Sequence, residues 1–233
     1  MTPHCGEVPL NILYQDDSCA VVDKPSGMIV HRGWANDERD LLRVTRDALG
    51  RYVYPLHRLD RGASGAVLFA LNADAARSLN RSFADGSLGK RYLALTRGHP
   101  PERGSIDHPI PRAPGEERVA AQTDYVRIGT FQRYALVMAL PKTGRLHQIR
   151  RHLKHVSCPL IGDVRYGKGE HNRLFREQYA LDRLALHAAA LRFVHPTTEQ
   201  WVTVRAPLSG SFAECLSRLA LLDSANAAIQ ADF

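Results

Sequence analysis

Short apolar runs, each closed by turn-forming residues, recur from about residue 8 to residue 222 with no linker, internal repeat or low-complexity tract between them. That alternation predicts one continuous domain of many short strands, several joined as hairpins, with few helices in between. ILYQD and CAVVDKP, separated by Asp16, Asp17 and Ser18, read as a first hairpin, and LHAAALRFVHP and WVTVRAPL, separated by TTEQ, as a last one. SGAVLFALN and YALVMALP read as strands, and KRYLALTRG alternates with period two, Tyr92, Ala94 and Thr96 opposing Leu93 and Leu95. Asn72 predicts the N-cap of a helix in ADAARSLNRSFADG, where Ala76, Leu79 and Phe83 recur at helical spacing and Gly86 stops it. In RLHQIRRHLKHVS, Leu146, Ile149, Leu153 and Val156 form one apolar stripe, so a helix is expected whose first turn carries Arg145, His147 and Gln148. SFAECLSRLALL reads as a closing helix. The segment PRAPGEERVAAQ, within 111–124, reads as an exposed connection, and 1–7 and 223–233 as flexible tails. The fold class is α+β, with a mixed, mostly antiparallel β-sheet and flanking helices and loops.

Composition narrows the function. At 44% hydrophobic and 24% charged, the 233 residues are those of an ordinary globular protein. No apolar run approaches the roughly 20 residues a spanning helix needs, and MTPHCGEVPLN lacks the basic and apolar regions of a secretory signal, so a cytoplasmic protein away from membranes is expected. Cysteines 5, 19, 158 and 215 form no CxxC pair, which predicts free thiols. His147, His152 and His155 lie close together, yet no carboxylate sits at ligand spacing beside them. Surface or nucleic-acid-facing histidines, with no metal, are the preferred reading. The 31 Lys+Arg exceed the 24 Asp+Glu by 7, and the excess clusters. Arg145, Arg150, Arg151 and Lys154 fall within one short segment, and Arg51, Arg58, Arg61, Lys90 and Arg91 form two further groups. Counterion release from phosphates rewards such clusters, which makes a polyanion, RNA or DNA, the leading partner.

Two segments carry candidate chemistry. In HRLDRGASG, Asp60 sits between two arginines ahead of a small-residue turn and a buried strand. It reads either as a loop aspartate making turn hydrogen bonds or as an ionised nucleophile or base held by nearby cations. PKTGRLHQIR reads as a tight turn followed by a helix start rich in donors suited to phosphate, base edges or a carboxylate.

HRLDRGASG, GKRYLAL, KTGRLHQIRRHL and PLIGDVRYG, in that order, resemble the RluA-type pseudouridine synthases over nearly the whole chain. VDKPSGMIVHRGW, RRHLKH and GKGEHNR resemble the branch acting on uridine 65 of tRNA. Ala63 stands where that family usually carries Thr, and Cys158 where His is common. The resemblance implies a catalytic fold around a central RNA-binding cleft, no preceding S4-type module, no cofactor, a tRNA substrate, no obligatory protein partner and a monomer. It implies that Asp60 is the catalytic aspartate, that Tyr92 stacks on the target base and removes the C5 proton, and that Arg150 pairs with Asp60. Ile149 would pack under the base, and Arg58 would fill the gap the base leaves. His57, Arg61, Arg145, His147, Gln148, Arg151 and Lys154 complete the implied RNA contacts. An rRNA or multi-site synthase, and a non-catalytic tRNA chaperone, are the alternatives.

Overall fold

SGAVLFA is buried at every position, because both faces of this strand are covered. Its neighbours in the sheet follow from that position. The computed structural model describes residues 10–32, 39–113 and 115–233; the expected tail at 1–7, the end of VDKPSGMIVHRGW and Pro114 lie outside the described residues. In chain order the elements begin β1 (Asn11–Gln15), β2 (Cys19–Lys24), α1 (Leu41–Leu49), β3 (Tyr54–Pro55), β4 (Ser64–Ala70) and α2 (Ala73–Ala84). They continue β5 (Gly89–Arg97), β6 (Arg103–Asp107), β7 (Ile110–Pro111), β8 (Arg118–Val119), β9 (Gln122–Phe131) and β10 (Tyr134–Pro141). Last come α3 (Gln148–His155), α4 (Gly169–Tyr179), β11 (Leu186–Val194), β12 (Trp201–Arg205), α5 (Gly210–Arg218) and α6 (Leu222–Gln230). The main sheet runs β1-β2-β4-β11-β5-β10-β9-β6, with β3 added to β4 and β12 to β11. Among the described residues only β4 and β11 pair in parallel, which makes the α+β, mostly antiparallel reading correct. Among the described residues no helix is long and apolar enough to cross a membrane.

Both predicted hairpins form, and their turns are tied together: Asp16 caps the backbone of Ser18 and Cys19 and accepts from His195 Nε2 at 2.8 Å. Asn72 accepts from the Ala75 N–H at 2.8 Å and caps α2 as its sequence predicts.

Four expectations need correction. First, residues 223–233 are no flexible tail. Ala225, Ala228 and Ile229 recur at helical spacing and are buried in α6. Arg91 donates to the Ala228 and Ala231 carbonyls at 2.9 and 2.7 Å, and Arg205 to Ile229 at 3.1 Å, so two guanidiniums satisfy the helix's last carbonyls. Second, Arg91 therefore belongs to the core and not to an RNA-facing cluster; strand alternation sends it to the opposite face from Lys90 and Tyr92. Third, His152 is fully buried, with one ring nitrogen 2.9 Å from the Thr123 hydroxyl and the other 3.0 Å from the His108 carbonyl, so it faces neither nucleic acid nor solvent. Fourth, the 111–124 connection is not wholly exposed: β7 and β8 pair as a short ladder beside α3, and Ala121 and Thr123 are buried.

The parallel β4–β11 contact is close because of one glycine. Gly65 has φ +109°, and a Cβ there would lie 2.3 Å from the Ala188 carbonyl oxygen. Gly65→Ala therefore combines backbone strain with a clash against main chain, and we expect it to lower stability by about 2–3 kcal/mol, read as the urea midpoint at unchanged m.

Candidate active site

The HRLD segment is delivered to one end of β4. After β3 the chain runs antiparallel beside β4, and the Leu68 N–H donates to His57 Nε2 at 3.0 Å. The chain then reverses, the Ala63 N–H bonding the Asp60 carbonyl at 3.0 Å. DKPSG braces this reversal from behind: buried Lys24 donates to the Pro25, Met28 and Arg61 carbonyls, and Ser26 to that of Gly62. Two strands along the sheet, past β11, β5 carries Tyr92 on the same side. β10 then leads through the PKTGR turn into α3, which supplies Arg150.

The three residues expected to be catalytic converge. Arg150 Nη1 donates to Asp60 Oδ2 at 2.9 Å, and Asp60, Arg150 and Tyr92 line one cavity of about 600 Å³. The Asp60 side chain retains 17% exposure, which leaves it open to a ligand. Arg150 is held from behind by Asp163, whose Oδ2 and Oδ1 accept from Nε at 2.7 Å and Nη2 at 2.8 Å. Asp163 is buried in the GDVRYG turn, where Oδ1 also accepts the Arg165 and Tyr166 N–H groups. Burial works against both charges, but the hydrogen bonds within the pair win: the Arg150 pKa is raised and that of Asp163 lowered. Burial first, and the charge of Asp60 second, push the Tyr92 pKa above the ordinary phenol range, so Tyr92 is a neutral phenol at physiological pH.

His147 flanks Asp60. It caps α3 in the left-handed conformation, φ +54°, with Nε2 3.7 Å from Asp60 Oδ1 and Nδ1 3.1 Å from the Tyr166 hydroxyl. Burial lowers its pKa against the opposing pull of Asp60. The expected first turn of the helix is thus shorter than the sequence suggests: α3 starts at Gln148, leaving Arg145 and His147 outside it.

The remaining expected RNA contacts divide. Arg58, Arg145 and Ile149 line the same cavity as Asp60. His57 lines it as an uncharged wall, since burial drives its pKa down to about 3 and its ring stacks on Phe83 at 5.1 Å. Arg61 lines an adjoining groove of about 690 Å³ that shares Arg58, Asp60, His147 and Arg150 with the cavity. Arg151 and Lys154 line neither. They gather on the Tyr166 ring, whose hydroxyl accepts from Arg151 Nε at 2.9 Å. Gln148 also lines the cavity, but its side chain is committed within the protein. Its carbonyl oxygen accepts from the Thr143 hydroxyl and the Arg145 N–H, its amide donates to the Gln122 carbonyl and the Thr123 hydroxyl, and no hydrogen-bonding capacity is left. Asp163 and Tyr166 escaped the residue-level reading, although PLIGDVRYG was the signal that contained them.

The comparisons agree with this geometry. The family described as RNA pseudouridylate synthase matches residues 18–155. A curated protein named tRNA pseudouridine synthase C, from Vibrio cholerae, is 38% identical over 92% of this chain and 98% of its own. Its Haemophilus ducreyi namesake is 39% identical over 85% and 91%. Among solved structures, human RNA pseudouridylate synthase domain containing 1 superposes with a TM-score of 0.72 at 30% identity, covering 92% of this chain and 90% of that one. Human RNA pseudouridylate synthase domain containing 4 gives 0.74 at 26%, covering 90% and 93%. The chain belongs to the RNA pseudouridylate synthase family, and it is an RNA pseudouridine synthase of the RluA type.

The Arg150–Asp163 pair makes a checkable statement about stability. Asp163→Asn removes one partner of a buried pair, and we expect a cost of about 3 kcal/mol near neutral pH. Because the folded carboxyl has a lowered pKa, the stabilisation is full above the unfolded value of about 4 and disappears as pH falls through the folded value. Denaturant titrations of both proteins should therefore show a gap that closes below about pH 4; a gap independent of pH contradicts the pairing.

Proposed function

We propose that this enzyme converts uridine 65 of tRNA to pseudouridine, with Asp60 as the essential carboxylate. The contact between Asp60 and the doubly held Arg150, at the mouth of a cavity walled by Tyr92 and Ile149, carries the reading. The relatives named tRNA pseudouridine synthase C support tRNA as the substrate, and the branch-like segments VDKPSGMIVHRGW and GKGEHNR support the position.

The reaction is an isomerisation. The C1′–N1 bond breaks, C1′–C5 forms, C5 loses its proton and N1 gains one, so atoms and electrons balance without a cofactor. A base inside a duplex is out of reach, and the target must first be flipped into the cavity. Arg58, exposed where cavity and groove meet, is placed to fill the vacated stack. Tyr92 and Ile149 enclose the uracil while Asp60 acts at the sugar or base. As a neutral phenol, Tyr92 accepts the C5 proton only while passing its own on, so stacking and orientation are its first duties. Arg145 takes a phosphate at the cavity wall, and Arg61, Arg151 and Lys154 take phosphates outside it. The enzyme acts as a cytoplasmic monomer, its catalytic domain extended at the C-terminal end by α6.

Asp60→Asn should reduce pseudouridine formation by more than about 10³-fold while tRNA affinity stays within about 3-fold, as expected when a group acts only on the reacting atoms. Mapping pseudouridine in tRNA and rRNA from a deletion strain should show loss at tRNA position 65 alone; loss at rRNA sites would favour the multi-site alternative. Affinity should fall steeply between about 50 and 200 mM salt, as several phosphate contacts require, and a flat response in a filter-binding titration would exclude the basic surface as the footprint.

A further inference from the structure

Lys90 lines the cavity, and the sequence reading gives it no more than a place in a basic group. It stands one pleat before Tyr92 on the same face of β5, and both line the cavity. Its one polar contact among the described residues is the Thr143 carbonyl at 3.1 Å, in the turn that leads to α3. Among the described residues no carboxylate pairs with it. His57 approaches from the loop before β4 and is neutral, Tyr92 on its own strand is neutral, and the turn after β10 brings Lys142 and Arg145. Asp60 is the single carboxylate among the described residues that line the cavity.

The charge balance of the reaction gives this ammonium a use. When C1′–N1 breaks, the bonding pair leaves with uracil and its charge spreads onto the two carbonyl oxygens. The guanidinium that touches Asp60 is already shared with Asp163, a trio of net charge −1, which repels a uracil anion. A cation set in a partly desolvated wall of the same cavity offsets that repulsion at the moment the charge develops.

We propose that Lys90 contacts the substrate, its ammonium binding a negatively charged oxygen of the flipped nucleotide. Two sources of that oxygen fit the cavity: a carbonyl of the detached uracil, or the nucleotide's own backbone phosphate. The proposal rests on the pseudouridine synthase reading. Burial lowers the Lys90 pKa to about 8, so the charge needed here is present below that pH and lost as pH rises through it.

The test uses wild type, Lys90→Met and Lys90→Arg on a tRNA T-arm stem–loop, measuring affinity at several salt concentrations and single-turnover conversion across pH. Wild type must convert the uridine; if it does not, the reading of the enzyme fails independently of Lys90. If the oxygen belongs to the uracil, Lys90→Met lowers the single-turnover rate by about 10-fold or more with affinity within about 3-fold. If it belongs to a phosphate, affinity weakens instead and the salt slope flattens by about 0.7–0.9. In either case wild-type function declines above pH 8, and Lys90→Arg, which keeps its charge, moves that decline upward. Should Lys90→Met have wild-type rate, affinity and salt slope, Lys90 is only a brace for Thr143 and the proposal is overturned. If Lys90→Met does not fold, an unchanged alkaline limb in Lys90→Arg overturns it equally.

Discussion

A single guanidinium between two carboxylates organises this molecule. Arg150 is clamped by Asp163 through two of its donors and presents the third to Asp60. Clamped in this way, Arg150 keeps Nη1 turned toward Asp60. A planar fork suits this, because its geometry fixes where the remaining donor points. The rest of the fold serves the clamp. The parallel β4–β11 contact puts the HRLD turn two strands from β5, the β10–α3 turn aims Arg150 inward, and the GDVRYG turn brings Asp163 up behind it.

The clamp also explains the charge pattern around the cavity. Asp60 must be held among cations without being consumed by them, and Arg150, already committed to Asp163, meets that condition. His147 and Tyr166 extend the arrangement outward, and Arg151 and Lys154 are packed on the same Tyr166 whose hydroxyl touches His147.

Much of this was legible from residue order. Period-two alternation placed Tyr92 and Ala94 together, the Asn72 cap started α2, and the two hairpins declared themselves through their turns. What escaped depended on contacts distant in sequence. Gln148 reads as a nucleic-acid donor because glutamine usually is one when beside arginines, but Thr143, Thr123 and the Gln122 carbonyl exhaust its amide. His152 reads as a surface histidine until β9 and the segment before β7 close over it. The last helix was hidden by its composition: alanines at helical spacing give a weak apolar signal, and the two arginines that hold its carbonyls come from β5 and β12. Nothing local to GDVRYG reveals that the partner of Asp163 is Arg150, thirteen residues earlier on α3.

The most direct test of this account is a crystal structure of the enzyme with its T-arm stem–loop RNA. We predict an extruded uridine on Tyr92, with an Asp60 carboxylate oxygen about 3–3.5 Å from a reacting sugar or base atom. Arg150 should still bridge Asp60 and Asp163. A complex in which the uridine stays stacked in its helix, or in which Arg150 has left Asp60 while the flipped base lies elsewhere, would contradict it.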